Sequence, residues 1–193
     1  GDINDCNNYR DITMANCFSK LFECFIRKTC ANVFATHDLQ FAYKPKSGCP
    51  QAFFCFSEIV SFYNNHITPV LEAFLDASKA FNRVSHFALV YKLLESGMNI
   101  HVVRTVEHWL RFGSCCVKLG STFSSCYRPR AGIRQGGVLS GNFYTLYINK
   151  LIETLDSKKW GTCFNGVYVG IIVYADDIVL LSCSVMALQN MIN

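Results

Sequence analysis

Two adjacent carboxylates, Asp176 and Asp177, lie between two apolar stretches near the end of the sequence. Residues 170–173 and 178–181 are glycine or aliphatic, which predicts two buried strands joined by a tight turn. Neighbouring carboxylates repel each other, and burial penalises each charge unless a cation neutralises it. Mg²⁺ is the natural partner because it prefers oxygen ligands. Two interpretations stay open here: a magnesium site, or a solvated hairpin tip where Asp is common.

A single carboxylate earlier in the chain repeats this pattern. The sequence predicts an apolar strand over residues 69–75 that ends at Asp76, followed by a turn into a helix near Ser78. If the strands were neighbours, three carboxylates would form a site for two metal ions about 3.5–4 Å apart, as in phosphoryl transfer. The alternative is that Asp76 caps the helix that follows.

Residues 131–140 form a polar, glycine-dense loop before a predicted helix. Such a loop brings backbone close to a ligand and offers N–H groups to phosphate or sugar. Arg134 adds a cation and Gln135 an amide. An ordinary loop with Ser140 as the helix N-cap explains the same residues, so the loop alone is a weak signal.

Helices and hairpins must position these residues. Apolar spacing of three and four predicts helices, and alternation around turn residues predicts hairpins. The predicted helices cover residues 14–33, 51–63, 87–96, 101–112 and 141–155, and the predicted hairpins cover residues 115–127 and 168–182. This mixture predicts an α+β fold, with an antiparallel sheet and helices on one face.

The composition bounds the class of protein. A chain of 193 residues with 51% hydrophobic residues can bury one sizeable core. The net charge of +4 permits a polyanionic partner without demanding one. Eleven cysteines without zinc-site spacing indicate reduced thiols in an intracellular protein. The longest apolar stretch is too short for a membrane span and no secretory signal is present, so we expect no membrane partner.

Three segments, in this order, resemble the catalytic motifs of reverse transcriptases, particularly those of LINE-type (non-LTR) retrotransposons. They are residues 74–86, 132–149 and 173–182. Residues 8–10 together with residues 18–23 resemble the opening of the fingers region of the same family, and residues 39–45 resemble its next basic element. The resemblance implies a right-hand polymerase fold, with part of the fingers over about residues 1–68 and mainly palm over about residues 69–193. It also implies that the thumb is absent and that the palm is truncated after the Ala-Asp-Asp hairpin.

The resemblance further implies residue roles. Asp76, Asp176 and Asp177 would be the catalytic carboxylates that hold Mg²⁺, with Mn²⁺ as a possible substitute. The residues expected to bind the nucleotide are Arg10, Ala77, Phe81, Gln135 and Gly136. The bulk of Phe81 would exclude a 2′-hydroxyl, so the implied reaction adds dNTPs to a DNA primer on an RNA template. A retrotransposon polymerase would act in the nucleus or the cytoplasm.

Three positions depart from the family pattern. Asn82 replaces the usual Asp, Asp11 follows Arg10 where Pro is usual, and Gly141 replaces the Pro after Ser140. These changes predict a diverged or decayed copy. The alternative function is therefore a catalytically inactive, nucleic-acid-binding remnant. A viral RNA-dependent RNA polymerase is disfavoured, since those enzymes usually have Gly at the position of Ala175.

Overall fold

The computed structural model describes residues 2, 5, 8, 9, 11–77 and 79–193. These fold into two compact units, each built from two separate stretches of chain. The first unit comprises Gly1–Val33 and Phe81–Phe143, and the second comprises Phe34–Ala80 and Tyr144–Asn193. The assignment of about residues 1–68 to fingers and 69–193 to palm stays a prediction.

Six α-helices and seven strands are found in the described residues. The helices are α1 (Cys17–Thr29), α2 (Cys49–Asn65), α3 (His86–Glu95), α4 (Ile100–Phe112), α5 (Ser140–Lys158) and α6 (Val185–Ile192). The strands are β1 (Leu71–Asp76), β2 (Lys118–Leu119), β3 (Thr122–Phe123), β4 (Cys163–Phe164), β5 (Val167–Tyr168), β6 (Ile171–Tyr174) and β7 (Asp177–Ser182). Every predicted helix is present, with bounds that differ by a few residues.

The first unit is mainly helical. Helix α3 packs against α4, and the buried side chains of these two helices include Leu89, Leu93, Val103 and Val106. Gly97 follows α3 with φ +79°, a left-handed conformation that glycine adopts without steric cost. The predicted hairpin over residues 115–127 is present but short, because only β2 and β3 pair beyond a single bridge from Cys115 to Tyr127.

The second unit contains a three-stranded antiparallel sheet in the order β1-β7-β6. Strands β6 and β7 form the hairpin predicted around the Asp pair, and β1 lies along the other side of β7. β7 is therefore the central strand, which explains the run of four aliphatic residues between Asp177 and Ser182. The α+β class is confirmed.

Strands β6 and β7 are covered on both faces, whereas most residues of β1 are exposed. Ile171 and Leu180 pack with Ile152 of α5 and Met191 of α6 on one face. Alternate strand residues, including Ile172 and Leu181, pack with Ala52 and Ile59 of α2. The expectation of helices on one face was therefore incomplete, because β6 and β7 are apolar at consecutive positions and need a layer on each side.

No helix in the described ranges is both long enough and apolar enough to cross a membrane.

Gly161 fits closely against the β6–β7 hairpin. A Cβ at Gly161 would lie 2.4 Å from the Gly170 Cα and 2.7 Å from the Leu181 carbonyl oxygen. Both contacts involve backbone that is held by hydrogen bonds from Thr162 N to Leu181 O and from Leu181 N to Gly170 O. The hairpin thus has no space for a side chain at Gly161.

We predict that Gly161→Ala lowers the free energy of unfolding by about 2 kcal/mol or more, because the sheet must shift to admit the methyl group. Urea unfolding followed by circular dichroism measures this. Gly48→Ala is the matched control, because its Cβ would have no neighbour closer than 3.5 Å. An equal loss in the two variants would show that the close approach is absent.

Candidate active site

The β1–β7 register brings two of the predicted carboxylates together. Asp76 and Asp177 are the last residue pair of this antiparallel ladder. Residues directly opposite in such a ladder have Cα atoms about 4.5–5.5 Å apart and side chains on the same face. Both residues are exposed, so two carboxylates emerge side by side at one end of an otherwise apolar sheet.

Asp176 lies in the two-residue turn between β6 and β7. Tyr174 pairs with Asp177, so Ala175 and Asp176 form the turn. Ala175 has φ +58°, whereas Asp176 is not among the residues with positive φ. This combination matches a type II′ hairpin turn, which favours glycine at its first position. An alanine there costs on the order of 1–3 kcal/mol, and surrounding contacts must hold it.

No cation of the described chain neutralises these carboxylates. The ion pairs among the described residues are Lys150–Glu153 and Lys159–Asp156, both on the surface. The negative charge affects nearby tyrosines. Burial raises the pKa of Tyr43, and the charge of Asp176 raises it further. Burial and then Asp176, with a smaller contribution from Asp177, raise the pKa of Tyr144 to about 12. Among the described residues, these carboxylates therefore have no ion-pair partner.

The donor set suits Mg²⁺, although it is not a closed cage. Within the described ranges, no three His, Cys, Asp or Glu side chains are grouped closely enough to hold a metal by themselves. Mg²⁺ is usually bound by one or two carboxylates together with substrate phosphates and water. The Asp76–Asp177 pair, with Asp176 beside it, meets that requirement. Their role as metal ligands stays a prediction.

The predicted nucleotide contacts Phe81, Gln135 and Gly136 belong to the first unit, and there the structure connects them. The Ile133 N–H donates to the Phe81 carbonyl at 2.9 Å, and the Thr13 N–H donates to the Gln135 carbonyl at 2.8 Å. Gly136 has φ +98° and is exposed. Residues 132–136 are therefore a defined loop whose backbone is held on two sides.

A buried contact and a partly buried one also anchor this loop. Glu23 of α1 is fully buried, and its Oε2 accepts the Leu139 N–H at 3.0 Å. Arg134 donates to the Ser19 Oγ at 2.9 Å and lies over the Trp109 ring, 4.3 Å from its centroid. The loop thus depends on the face of α1 that carries Ser19 and Glu23.

Ser140 does not have the N-cap role that the sequence suggested. It is the first residue of α5, and its Oγ donates to the Arg134 carbonyl at 2.5 Å. As the first residue of the helix, Ser140 lies one position after the N-cap, and its hydroxyl proton is used in the hydrogen bond to the loop. This hydrogen bond joins the start of α5 to the middle of the loop.

The other predicted positions have separate outcomes. Arg10 lies outside the described residues. Ala77 directly follows β1 in the second unit, and its carbonyl accepts the Ala80 N–H at 3.0 Å. The helix expected near Ser78 begins later, as a 3₁₀ helix over Ala80–Arg83. Asp76 is thus the last residue of a strand.

Two of the departures from the family pattern contact each other. Asn82 Nδ2 donates to Asp11 Oδ1 at 2.9 Å. The usual Asp at position 82 would place a second carboxylate against Asp11, and like charges at that distance repel. Asn82 and Asp11 are therefore compatible with each other. This compatibility favours a diverged copy of the family sequence over a randomly decayed one.

Two functional candidates were missed in the sequence. Glu23 was overlooked because a charged residue in an amphipathic helix is normally on the solvent side. Here Glu23 and Ile26 are buried, while Phe18, Leu21 and Phe25 are exposed. Gln40 is also fully buried, and it accepts the N–H of Ala175 at 3.1 Å. The sequence gives one indication that Gln40 is buried: it is a polar residue between the apolar residues Leu39 and Phe41.

Comparison with known proteins assigns the family. The profile of the family described as reverse transcriptase (RNA-dependent DNA polymerase) matches residues 2–193. The chain therefore belongs to the reverse transcriptase family. This confirms the resemblance on which the residue roles were based.

The curated relatives are retrotransposon proteins. The Pol polyprotein of the type-2 element R2DM of Drosophila melanogaster is 26% identical over 154 residues, or 80% of this chain and 14% of that protein. The Pol polyprotein of a type-1 R2 element of Popillia japonica is 23% identical over 185 residues, or 94% of this chain and 26% of that protein. These matches support a partial LINE-type reverse transcriptase. The chain spans about a quarter or less of these relatives.

Solved structures agree on the fold. Telomerase of Candida tropicalis, truncated from its C-terminal domain, aligns with a TM-score of 0.56 at 14% identity, covering 89% of this chain and 34% of that one. Telomerase of Candida albicans, in complex with a fragment of telomeric RNA, also gives 0.56 at 14% identity, covering 91% and 31%. At this identity the likeness shows the polymerase fold alone.

We predict that Glu23→Leu destabilises the loop, because it leaves the buried Leu139 N–H without an acceptor, at a cost of about 1–3 kcal/mol. Amide exchange at Leu139 and urea unfolding measure the change. Glu23→Gln is the matched control, because its amide oxygen still accepts this N–H. If the Leu and Gln variants lose the same stability, the Glu23–Leu139 hydrogen bond is not what anchors the loop.

Proposed function

We propose that this chain carries the RNA-directed DNA polymerase activity of a LINE-type retrotransposon protein. The observation that carries the proposal is the pairing of Asp76 with Asp177 at the end of the sheet, with Asp176 in the adjoining turn, in a member of the reverse transcriptase family. The reaction joins a primer 3′-hydroxyl to the α-phosphorus of a dNTP and releases pyrophosphate. The second unit supplies the palm chemistry.

The three carboxylates would hold the divalent cations. Two bound Mg²⁺ ions would activate the hydroxyl and neutralise charge on the phosphates. Asp76 and Asp177 contribute from opposed strand ends, and the turn supplies Asp176. Because the pair is exposed and has no ion-pair partner within the described ranges, it would be available to a metal that arrives with the nucleotide.

The nucleotide would be bound by the residues that the family resemblance implies. The loop over residues 132–136 offers backbone N–H groups and the Gln135 amide to phosphate or sugar. Phe81, joined to that loop through the Ile133 N–H, would exclude a 2′-hydroxyl by its bulk. Ala77 follows the first carboxylate, and Arg10 would reach the triphosphate. RNA template and DNA primer are the proposed macromolecular partners.

We predict that Asp76→Asn and Asp176→Asn each reduce primer extension on an RNA template by at least about hundredfold, because a neutral amide binds Mg²⁺ weakly. The assay uses the complete chain, dNTPs and Mg²⁺, and is repeated with Mn²⁺. Asp38→Asn is the control, since Asp38 is exposed in the same unit and only its backbone carbonyl accepts a hydrogen bond, from Lys44. Folded protein that binds primer-template without extending it would instead identify the inactive remnant.

We predict that Phe81→Val lowers the preference for dNTP over NTP by about tenfold to a hundredfold, because the smaller side chain admits a 2′-hydroxyl. Competition between dNTP and NTP in the same extension assay measures the ratio. Phe87→Val, at an exposed position of α3 in the same unit, should leave the ratio unchanged. A ratio that is equally insensitive to both changes would remove Phe81 from the nucleotide site.

A further inference from the structure

We propose that Gln40 is a positioning residue that holds the Ala175–Asp176 turn and thereby sets Asp176 and Asp177 for cation binding. The proposal deepens the proposed function and rests on it for the role of the two carboxylates. It concerns a side chain that belongs to none of the three segments with catalytic motifs.

The backbone around Gln40 is fixed to the outer edge of β6. The Phe41 N–H donates to the Val173 carbonyl at 2.8 Å, and the Val173 N–H donates to the Leu39 carbonyl at 2.9 Å. Gln40 is thereby paired with Val173 in a parallel bridge. Gln40 therefore lies beside Val173, two residues before Ala175. From there a glutamine side chain can reach the Ala175 N–H.

The Gln40 side chain connects two backbone segments through one atom. Its Oε1 accepts the Ala175 N–H at 3.1 Å and the Ala42 N–H at 2.9 Å. Both partners are backbone donors, so this network decides which end of the amide is the oxygen. Ala42 and Ala175 are buried, which means that water does not replace Oε1 if it is lost.

The turn needs such an acceptor because it holds an alanine with positive φ. Strained backbone persists only where neighbouring contacts fix it. Gln40 supplies a contact at the strained residue itself, immediately before the two carboxylates. A second observation agrees: Gln40 Nε2 is buried and has no hydrogen-bond partner among the described residues. An apolar side chain would avoid that orphan donor, so the acceptor is the feature that explains a glutamine here.

The first test removes the acceptor and follows the turn directly. Gln40→Met keeps the length of the side chain and its burial but accepts no N–H. We expect amide hydrogen exchange at Ala175 to accelerate at least about tenfold relative to wild type. Gln51→Met is the matched control, because Gln51 is exposed on α2 in the same unit. Unchanged protection of Ala175 in Gln40→Met would overturn the proposal.

The second test links the turn to the carboxylates. Mn²⁺ binding, followed by electron paramagnetic resonance, should weaken about fivefold to tenfold in Gln40→Met, and less than about twofold when Ala175→Gly is also present. Glycine adopts the positive φ at no steric cost, so the turn then needs no restraint. Equal weakening in both backgrounds, or none in either, would show that Gln40 does not act through the turn.

Two further variants keep the test decisive. If Gln40→Met fails to fold, Gln40→Asn gives the same comparison, since its amide is polar but one methylene too short to reach Ala175. Gln40→Glu should keep the Ala175 amide protected, because a carboxyl oxygen accepts the same N–H. Amide exchange requires no catalysis, so a chain that shows these exchange changes but no primer extension would refute the proposed activity and leave the role of Gln40 in the turn intact.

Discussion

The pairing of β1 with β7 is the constraint on which the candidate active site depends. Asp76 is separated by a hundred residues or so of sequence from Asp177, yet the ladder makes the two directly opposite. A shift by one residue would move Asp76 to the other face of the sheet, away from its partner. Ala73 of β1 packs in the core on one face, and Val70, directly before β1, packs in the core on the other, so the shift would expose both. The core therefore sets the position of the carboxylates.

The end of the sheet that carries Asp76 and Asp177 also contains two energetically unfavourable features. Asp76 and Asp177 are opposed at the strand ends, with Asp176 in the adjoining turn and no ion-pair partner among the described residues, and Ala175 adopts a conformation suited to glycine. Features of this kind persist at functional sites when packing elsewhere supports them. The hydrogen bonds from the backbone of residues 39–42 and from the Gln40 side chain provide that support.

Much of this arrangement was predictable because local patterns determine it. Alternation and apolar stretches gave the β6–β7 hairpin, and helical spacing gave α2 to α5. The pairing of β1 with β7 was not predictable from the residues alone, because neither strand sequence specifies which strand it pairs with. The roles of Glu23 and Gln40 were not predicted for a related reason. They arise from contacts with Leu139 and Ala175, more than a hundred residues away in sequence. The two helical layers on the sheet also emerged only from the packing.

We propose that Asp76 and the Asp176–Asp177 turn form one cation site. Titrating the isotopically labelled chain with Mn²⁺, and following its amide resonances by NMR, tests this without any need for catalysis. We expect the amide resonances of residues 75–77 and 175–178 to broaden together, at the same low Mn²⁺ concentration, before those of other surface carboxylates such as Asp38. Broadening of one segment without the other would contradict a shared site.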